Sequence, residues 1–185
     1  MFKNKNILIG VTGGISAYKI CDVISYLKHK GANVNVVMTR NATKFITPLT
    51  LETLSKNKVY VEMFDGEYED EVRHIYLARN ADLVLVAPCS ANVIGKLANG
   101  IADDMLTTTL IATKAQIVIA PAMNDNMYSN VIVQDNIEKL KKFGYKFIEP
   151  DTGSLACGYV GKGKLAKKEI IISCLESLLR GDNND

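Results

Sequence analysis

Apolar positions along this chain fall into two periods. Short, nearly unbroken runs at Ile7–Val11, Val34–Met38, Leu83–Val86 and Gln116–Ala120 have the character of strands buried on both faces. Between them, Ala17, Ile20, Cys21, Ile24 and Leu27 recur at helical spacing and predict a helix over Ser16–Lys30, with Gly31 at its C-cap. Further helices are predicted over Val72–Asn80, Ala91–Ala98, Asp103–Thr113, Asn130–Phe143 and Lys167–Arg180. Thr43–Ser55 reads as short helices broken around Pro48, because proline lacks the donor that a helix interior needs. Lys146–Ile148 reads as a short strand, and Glu62–Glu71 as an acidic loop without period.

Strands separated by helices imply βαβ units, a parallel sheet covered on both faces, and right-handed crossovers. The expected fold is a three-layer α/β domain, a Rossmann-like or flavodoxin-like doubly wound parallel sheet. It is expected to be one domain over residues 1–180, with no internal repeat and a frayed polar tail at 181–185. Two strands run into the same punctuation: LVLVAPCSAN (Leu83–Asn92) and IVIAPAMNDNM (Ile117–Met127) both break at Ala-Pro and then offer small polar side chains. Ligands of open parallel sheets sit beyond the carboxyl ends of the strands. These two ends therefore outline the floor and wall of one pocket.

Composition narrows the partners. Twenty-two basic and 20 acidic residues leave a net charge of +2, too small a field to recruit nucleic acid or an anionic membrane. No apolar run approaches the roughly 20 residues of a membrane span, and no secretory signal precedes the first strand. The four cysteines, Cys21, Cys89, Cys157 and Cys174, show neither close pairing nor zinc spacing, which predicts no metal site and a reduced, cytoplasmic setting.

The first turn, VTGGISAYK (Val11–Lys19), places Gly13, Gly14 and Ser16 where a helix start offers free N–H groups to a phosphate. It fits neither the G-x-G-x-x-G nor the P-loop spacing, and a tight βα turn explains its glycines equally well. Thr39, Arg40 and Asn41 at the end of the second strand could add polar groups to the same site.

Of two histidines, His29 closes the first helix and suits its dipole. His74 opens the helix before the pocket strand, either as a polar surface residue or as a proton-transfer group, a role that imidazole chemistry suits. Cys21 and Cys174 lie on apolar helical stripes, and Cys89 sits at the pocket strand's end, where packing of a small residue explains it. Cys157, in the glycine-rich GSLACGYVGKGK (Gly153–Lys164), is either an incidental loop thiol or a reactive one near two lysines. Asn124 and Asn126 suit either helix capping or orientation of a carboxylate and an amide. Met123 and Met127 suit either core filling or contact with a planar ring.

Taken together, these segments resemble the flavin-containing cysteine decarboxylases, from Ile7 to about Leu175. The carriers are GGISAYK (13–19), RHIYLARNAD (73–82), APCSANVIGKLANGIADDMLTT (87–108), APAMNDNMY (120–128) and LACGYVGKGK (155–164). The resemblance implies FMN in the crevice, with Gly13, Gly14 and Ser16 on its phosphate side and Thr39 near it. It also implies Phe45 against the ring system and Ser90, Ala91 and Asn92 binding the flavin. It implies His74 as active-site histidine, and Asn124, Met127 and Ala156 at the substrate. Cys157 is the implied proton donor, within a flap that closes over the substrate.

The implied activity is decarboxylation of 4′-phosphopantothenoylcysteine to 4′-phosphopantetheine. It proceeds by oxidation to a thioaldehyde, loss of carbon dioxide and re-reduction of the enethiol. The implied assembly is a homo-oligomer, trimer or dodecamer, with each flavin between subunits. Alternatives are a lantibiotic-type peptide cysteine decarboxylase and a non-catalytic flavin-fold regulator. The chain departs from the family pattern at Cys89, Val93, Tyr128 (usually tryptophan) and Lys164. It also stops where bifunctional relatives continue into a ligase domain, as a stand-alone enzyme or an excised domain would.

Overall fold

Six parallel strands form the central sheet of the computed structural model, which describes residues 1–64, 72–154, 158 and 160–181. They are β1 (Asn6–Val11), β2 (Asn33–Met38), β3 (Val59–Tyr60), β4 (Leu83–Cys89), β5 (Gln116–Pro121) and β6 (Lys146–Phe147). Their order is β3-β2-β1-β4-β5-β6, every neighbouring pair parallel. This is the doubly wound arrangement expected from the sequence, with the 3-2-1-4-5-6 strand order of its Rossmann variety.

The strands are apolar throughout because both faces are covered. Ile7, Ile9, Val34, Val36 and Leu85 pack against α1 (Ile20–His29), α2 (Pro48–Ser55) and α8 (Lys168–Arg180). The alternate residues, Leu8, Val37, Val84, Val86 and Ile119, pack against α3 (Arg73–Asn80), α4 (Ala91–Ala98), α5 (Met105–Ala112) and α7 (Val131–Lys142). The two-residue period of a strand thus divides one sheet between two cores.

Local departures from the expected elements have local causes. The first helix is entered through a 3-10 turn, Ile15–Lys19, before α1 begins. Pro48 opens α2 instead of breaking a helix; Thr47 caps it, and the missing donor of a proline costs nothing in a first turn. The glycine-rich stretch after residue 150, which has no strand period in the sequence, forms an antiparallel hairpin of β7 (Asp151–Ser154) and β8 (Val160–Lys164). A five-residue helix, α6 (Asp125–Ser129), follows β5. Ala156, Cys157, most of the acidic 62–71 loop and the tail after Gly181 lie outside the described residues. No described helix is long and apolar enough to cross a membrane.

Candidate functional site

The strand order reverses between β1 and β4, so their carboxyl ends diverge into a crevice. Thr12, buried at the end of β1, ties the two tips together. Its hydroxyl donates to the Pro88 carbonyl at 2.8 Å and accepts from the Ser90 N–H at 2.9 Å. Its own N–H donates to the same carbonyl at 3.2 Å. Sequence reasoning passed over Thr12; its only signal is a polar residue directly after a buried strand.

The two glycines that follow do different things. A Cβ on Gly13 would lie 2.6 Å from the Asn41 Cβ, so this glycine lets the ends of β1 and β2 meet. A Cβ on Gly14 would meet nothing within 4 Å and would project into the crevice. Gly14 precedes the 3-10 turn, whose start receives no side-chain cap. Thr39 continues the ladder by donating its N–H to the Val11 carbonyl at 3.0 Å. Ser90 caps α4, accepting from the Val93 N–H at 3.4 Å; Val93 contributes only its amide there and buries its side chain.

The crevice has two lobes that share Gly13, Ser90, Ala91 and Met127. The first, of about 700 Å³, adds Thr39, Asn92 and a charged wall of Lys96, Asp103 and Asp104. Lys96 Nζ lies 2.7 Å from Asp103 and 2.8 Å from Asp104, and Asp104 in turn caps α5 through a reciprocal capping box with Thr107. Burial pushes the Asp104 carboxyl up, but hydrogen bonds from Lys96 and Thr107 outweigh it and hold it below the usual range. Arg40 and Glu62 pair bidentately, both contacts at 2.5 Å, on the rim.

The second lobe, of about 600 Å³, adds Gly14, Ser16, Asn124, Lys19 and Lys164. Asn124 caps α6, its Oδ1 accepting from Asn126 N–H at 3.0 Å and Met127 N–H at 3.4 Å. The cap fixes the carboxamide at the mouth of the crevice. β8 closes against this turn backbone to backbone. Met123 N–H donates to the Gly163 carbonyl at 2.9 Å, and a Cβ on Gly161 would lie 2.8 Å from an Asp125 oxygen. Close approach accounts for these two glycines of the glycine-rich stretch.

The structure therefore brings together Gly13, Gly14, Ser16, Thr39, Ser90, Ala91, Asn92, Asn124 and Met127. It does not bring His74 or Phe45 to either lobe of this chain: His74 sits half-buried on α3, and Phe45 lies exposed after the 3-10 turn Ala42–Lys44. Cys89 does not line the crevice either. It is fully buried, and burial pushes its thiol far up, as expected of a core residue. Cys21 and Cys174 are half-buried against the other core, on the α1, α2 and α8 face of the sheet.

Comparison with known proteins gives a consistent set. The family model described as Flavoprotein matches residues 1–180. The chain is 53% identical over 176 residues to the coenzyme A biosynthesis bifunctional protein CoaBC of Bacillus subtilis, covering 95% of this chain and 43% of that one. The chain thus spans about half the length of the bifunctional relatives it matches. It is 48% identical over 177 residues to a probable phosphopantothenoylcysteine decarboxylase of Streptococcus mutans, covering 95% of this chain and 99% of the relative. Among solved structures, a PPC decarboxylase mutant complexed with pantothenoylaminoethenethiol superposes with a TM-score of 0.87 at 28% identity, over 96% of this chain and 100% of that one. The FMN-dependent cysteine decarboxylase SpaF does so with a TM-score of 0.82 at 30% identity, over 94% and 96%.

Proposed function

The chain belongs to the flavoprotein family, and on that premise we propose that it decarboxylates 4′-phosphopantothenoylcysteine to 4′-phosphopantetheine with FMN, in coenzyme A biosynthesis. The carrying observation is the crevice between β1 and β4, where the Gly13–Gly14 turn and the start of α4 face the capped Asn124 across about 600–700 Å³. That is within the range of about 300–1,000 Å³ usual for small-molecule sites.

The residues fit FMN. Gly14 leaves clear the space that a Cβ would fill, and Ser16 lines the same lobe. Gly13, Gly14 and Ser16 would hold the phosphate end, with Thr39, Ser90, Ala91 and Asn92 along the rest. Bound FMN supplies a reversible acceptor for a hydride, which a cysteine lacks and without which its carboxylate has no electron sink. Asn124 orients the substrate carboxylate and adjacent amide, and Met127 packs beside them. His74 moves a proton at its imidazole nitrogen, Ala156 lies against the substrate, and the Cys157 Sγ donates the proton that completes the saturated thiol.

His74 and Phe45 lie away from the crevice of their own chain, which supports a homo-oligomer in which a neighbouring copy presents them. Residues 1–180 form the single domain that does this work, in the cytoplasm and without membrane or nucleic-acid partners.

Purified protein should be yellow and bind FMN stoichiometrically; a protein that cannot be reconstituted with FMN would end this reading. Cys157→Ser should release carbon dioxide but accumulate the enethiol. Full conversion to 4′-phosphopantetheine by that variant, read by mass spectrometry, would assign the proton to another group. The two glycines should separate. Gly14→Ala should fold normally and lose about tenfold or more in FMN affinity. Gly13→Ala should cost about 1–3 kcal/mol of stability through overpacking against Asn41, measured by denaturant unfolding.

A further inference from the structure

A cluster on the far side of α6 from the crevice joins three elements that the mechanism leaves unused. Tyr128 is 8% exposed, and its hydroxyl donates to Glu149 Oε2 at 2.9 Å. The same oxygen accepts from Lys162 Nζ at 2.8 Å, and that ammonium stands 5.4 Å from the centre of the Tyr128 ring. Lys141 lies 3.9 Å from the other Glu149 oxygen. The Gln134 side-chain amide donates to the Tyr128 carbonyl. Burial and the Glu149 bond push the Tyr128 phenol up to about 12, and the Lys162 bond holds the Glu149 carboxyl below its usual range. The phenol is a neutral donor and Glu149 an acceptor throughout the neutral range.

An exposed lysine–glutamate pair contributes little by itself. This one differs because of what its members are attached to. Tyr128 is one helical turn from Asn124, its N–H donating to the Asn124 carbonyl at 2.9 Å. Lys162 lies on β8 between Gly161 and Gly163, the two residues whose backbone closes on Asp125 and Met123. The cluster thus ties β8 and the Asn124–Met127 turn to one fixed carboxylate.

Resting on the decarboxylase reading, we propose that Tyr128, Glu149 and Lys162 are positioning residues that set the Asn124 carboxamide and Met127 over the crevice, and so govern how tightly substrate is held.

The test uses Tyr128→Phe, Glu149→Gln and Lys162→Met in the intact FMN-loaded protein. Each should raise KM for 4′-phosphopantothenoylcysteine about three- to tenfold with kcat within about twofold and FMN content unchanged. The double variant Glu149→Gln/Lys162→Met should be no worse than its worse single, and Lys162→Arg should restore KM. Amide exchange at Asn126 and Met127, whose N–H groups the Asn124 cap protects, should quicken in the three single variants while β4 stays protected. Unchanged exchange there in all three, or lower thermal stability with unchanged KM, would overturn the proposal. Wild-type protein that releases no carbon dioxide from this substrate would sink the decarboxylase reading alone, since the exchange measurement still decides the positioning role.

Discussion

His74→Asn is expected to lower decarboxylation by about 10²–10⁴-fold, the usual contribution of a positioned proton-transfer group, with FMN still bound. Asparagine keeps the approximate size and a hydrogen-bonding amide but cannot take up or release a proton near neutral pH. The loss should therefore fall on kcat, with the flavin spectrum unaltered; undiminished turnover would remove His74 from the chemistry. A second measurement uses its position. His74 lies on α3, outside both lobes of its own crevice. If a neighbouring copy completes each site, reassembling equal amounts of inactive His74→Asn and inactive Asn124→Ala chains should restore about a quarter of the sites. A mixture as dead as its components would place the histidine and the crevice in one chain.

Gly163→Ala should damage both stability and substrate binding. Its φ of +159° already disfavours a side chain, and a Cβ there would lie 2.2 Å from the Met123 carbonyl oxygen. The atoms it would meet are all backbone, of Met123 and Asn124, so β8 must move away and give up the Met123 N–H bond to the Gly163 carbonyl. The expected cost is about 1–3 kcal/mol, with Tm falling by about 2–4 °C for each kcal/mol in a chain of this size. KM should rise at least about tenfold because the Asn124 turn loses its backing. A variant with wild-type Tm and KM would show that the approach of β8 to this turn is dispensable.

What the sequence revealed, and what it hid, follows from the range of the forces involved. The four long strands and most helices were legible because burial on both faces writes itself into every residue of a strand such as Leu83–Val86. The crevice was legible for a related reason: burial ends just past each Ala-Pro, after Cys89 in β4 and after Pro121 in β5. β3 and α6 were not, since two and five residues carry no period, although the equally short β6 was read within Lys146–Ile148. The β7–β8 hairpin was hidden because its strand is specified by what Gly161 and Gly163 touch, Asp125 and Met123, nearly forty residues away along the chain. Of the two readings of Asn124, the helix cap is visible in the fold, and the proposed grip on substrate would use the same placement. Thr12 left only its polarity directly after a buried strand, because bonds to residues 76 and 78 positions away have no local signature of their own.

That hydroxyl limits how the crevice can be re-engineered. Libraries meant to retune ligand preference would diversify residues 13–16 and 90–92 as if they were separate loops. With Thr12 intact they are halves of one jaw, and a backbone shift selected on one side is transmitted to the other. Randomising either segment while retaining Thr12 should yield folded variants at a much higher frequency than randomising position 12 together with them.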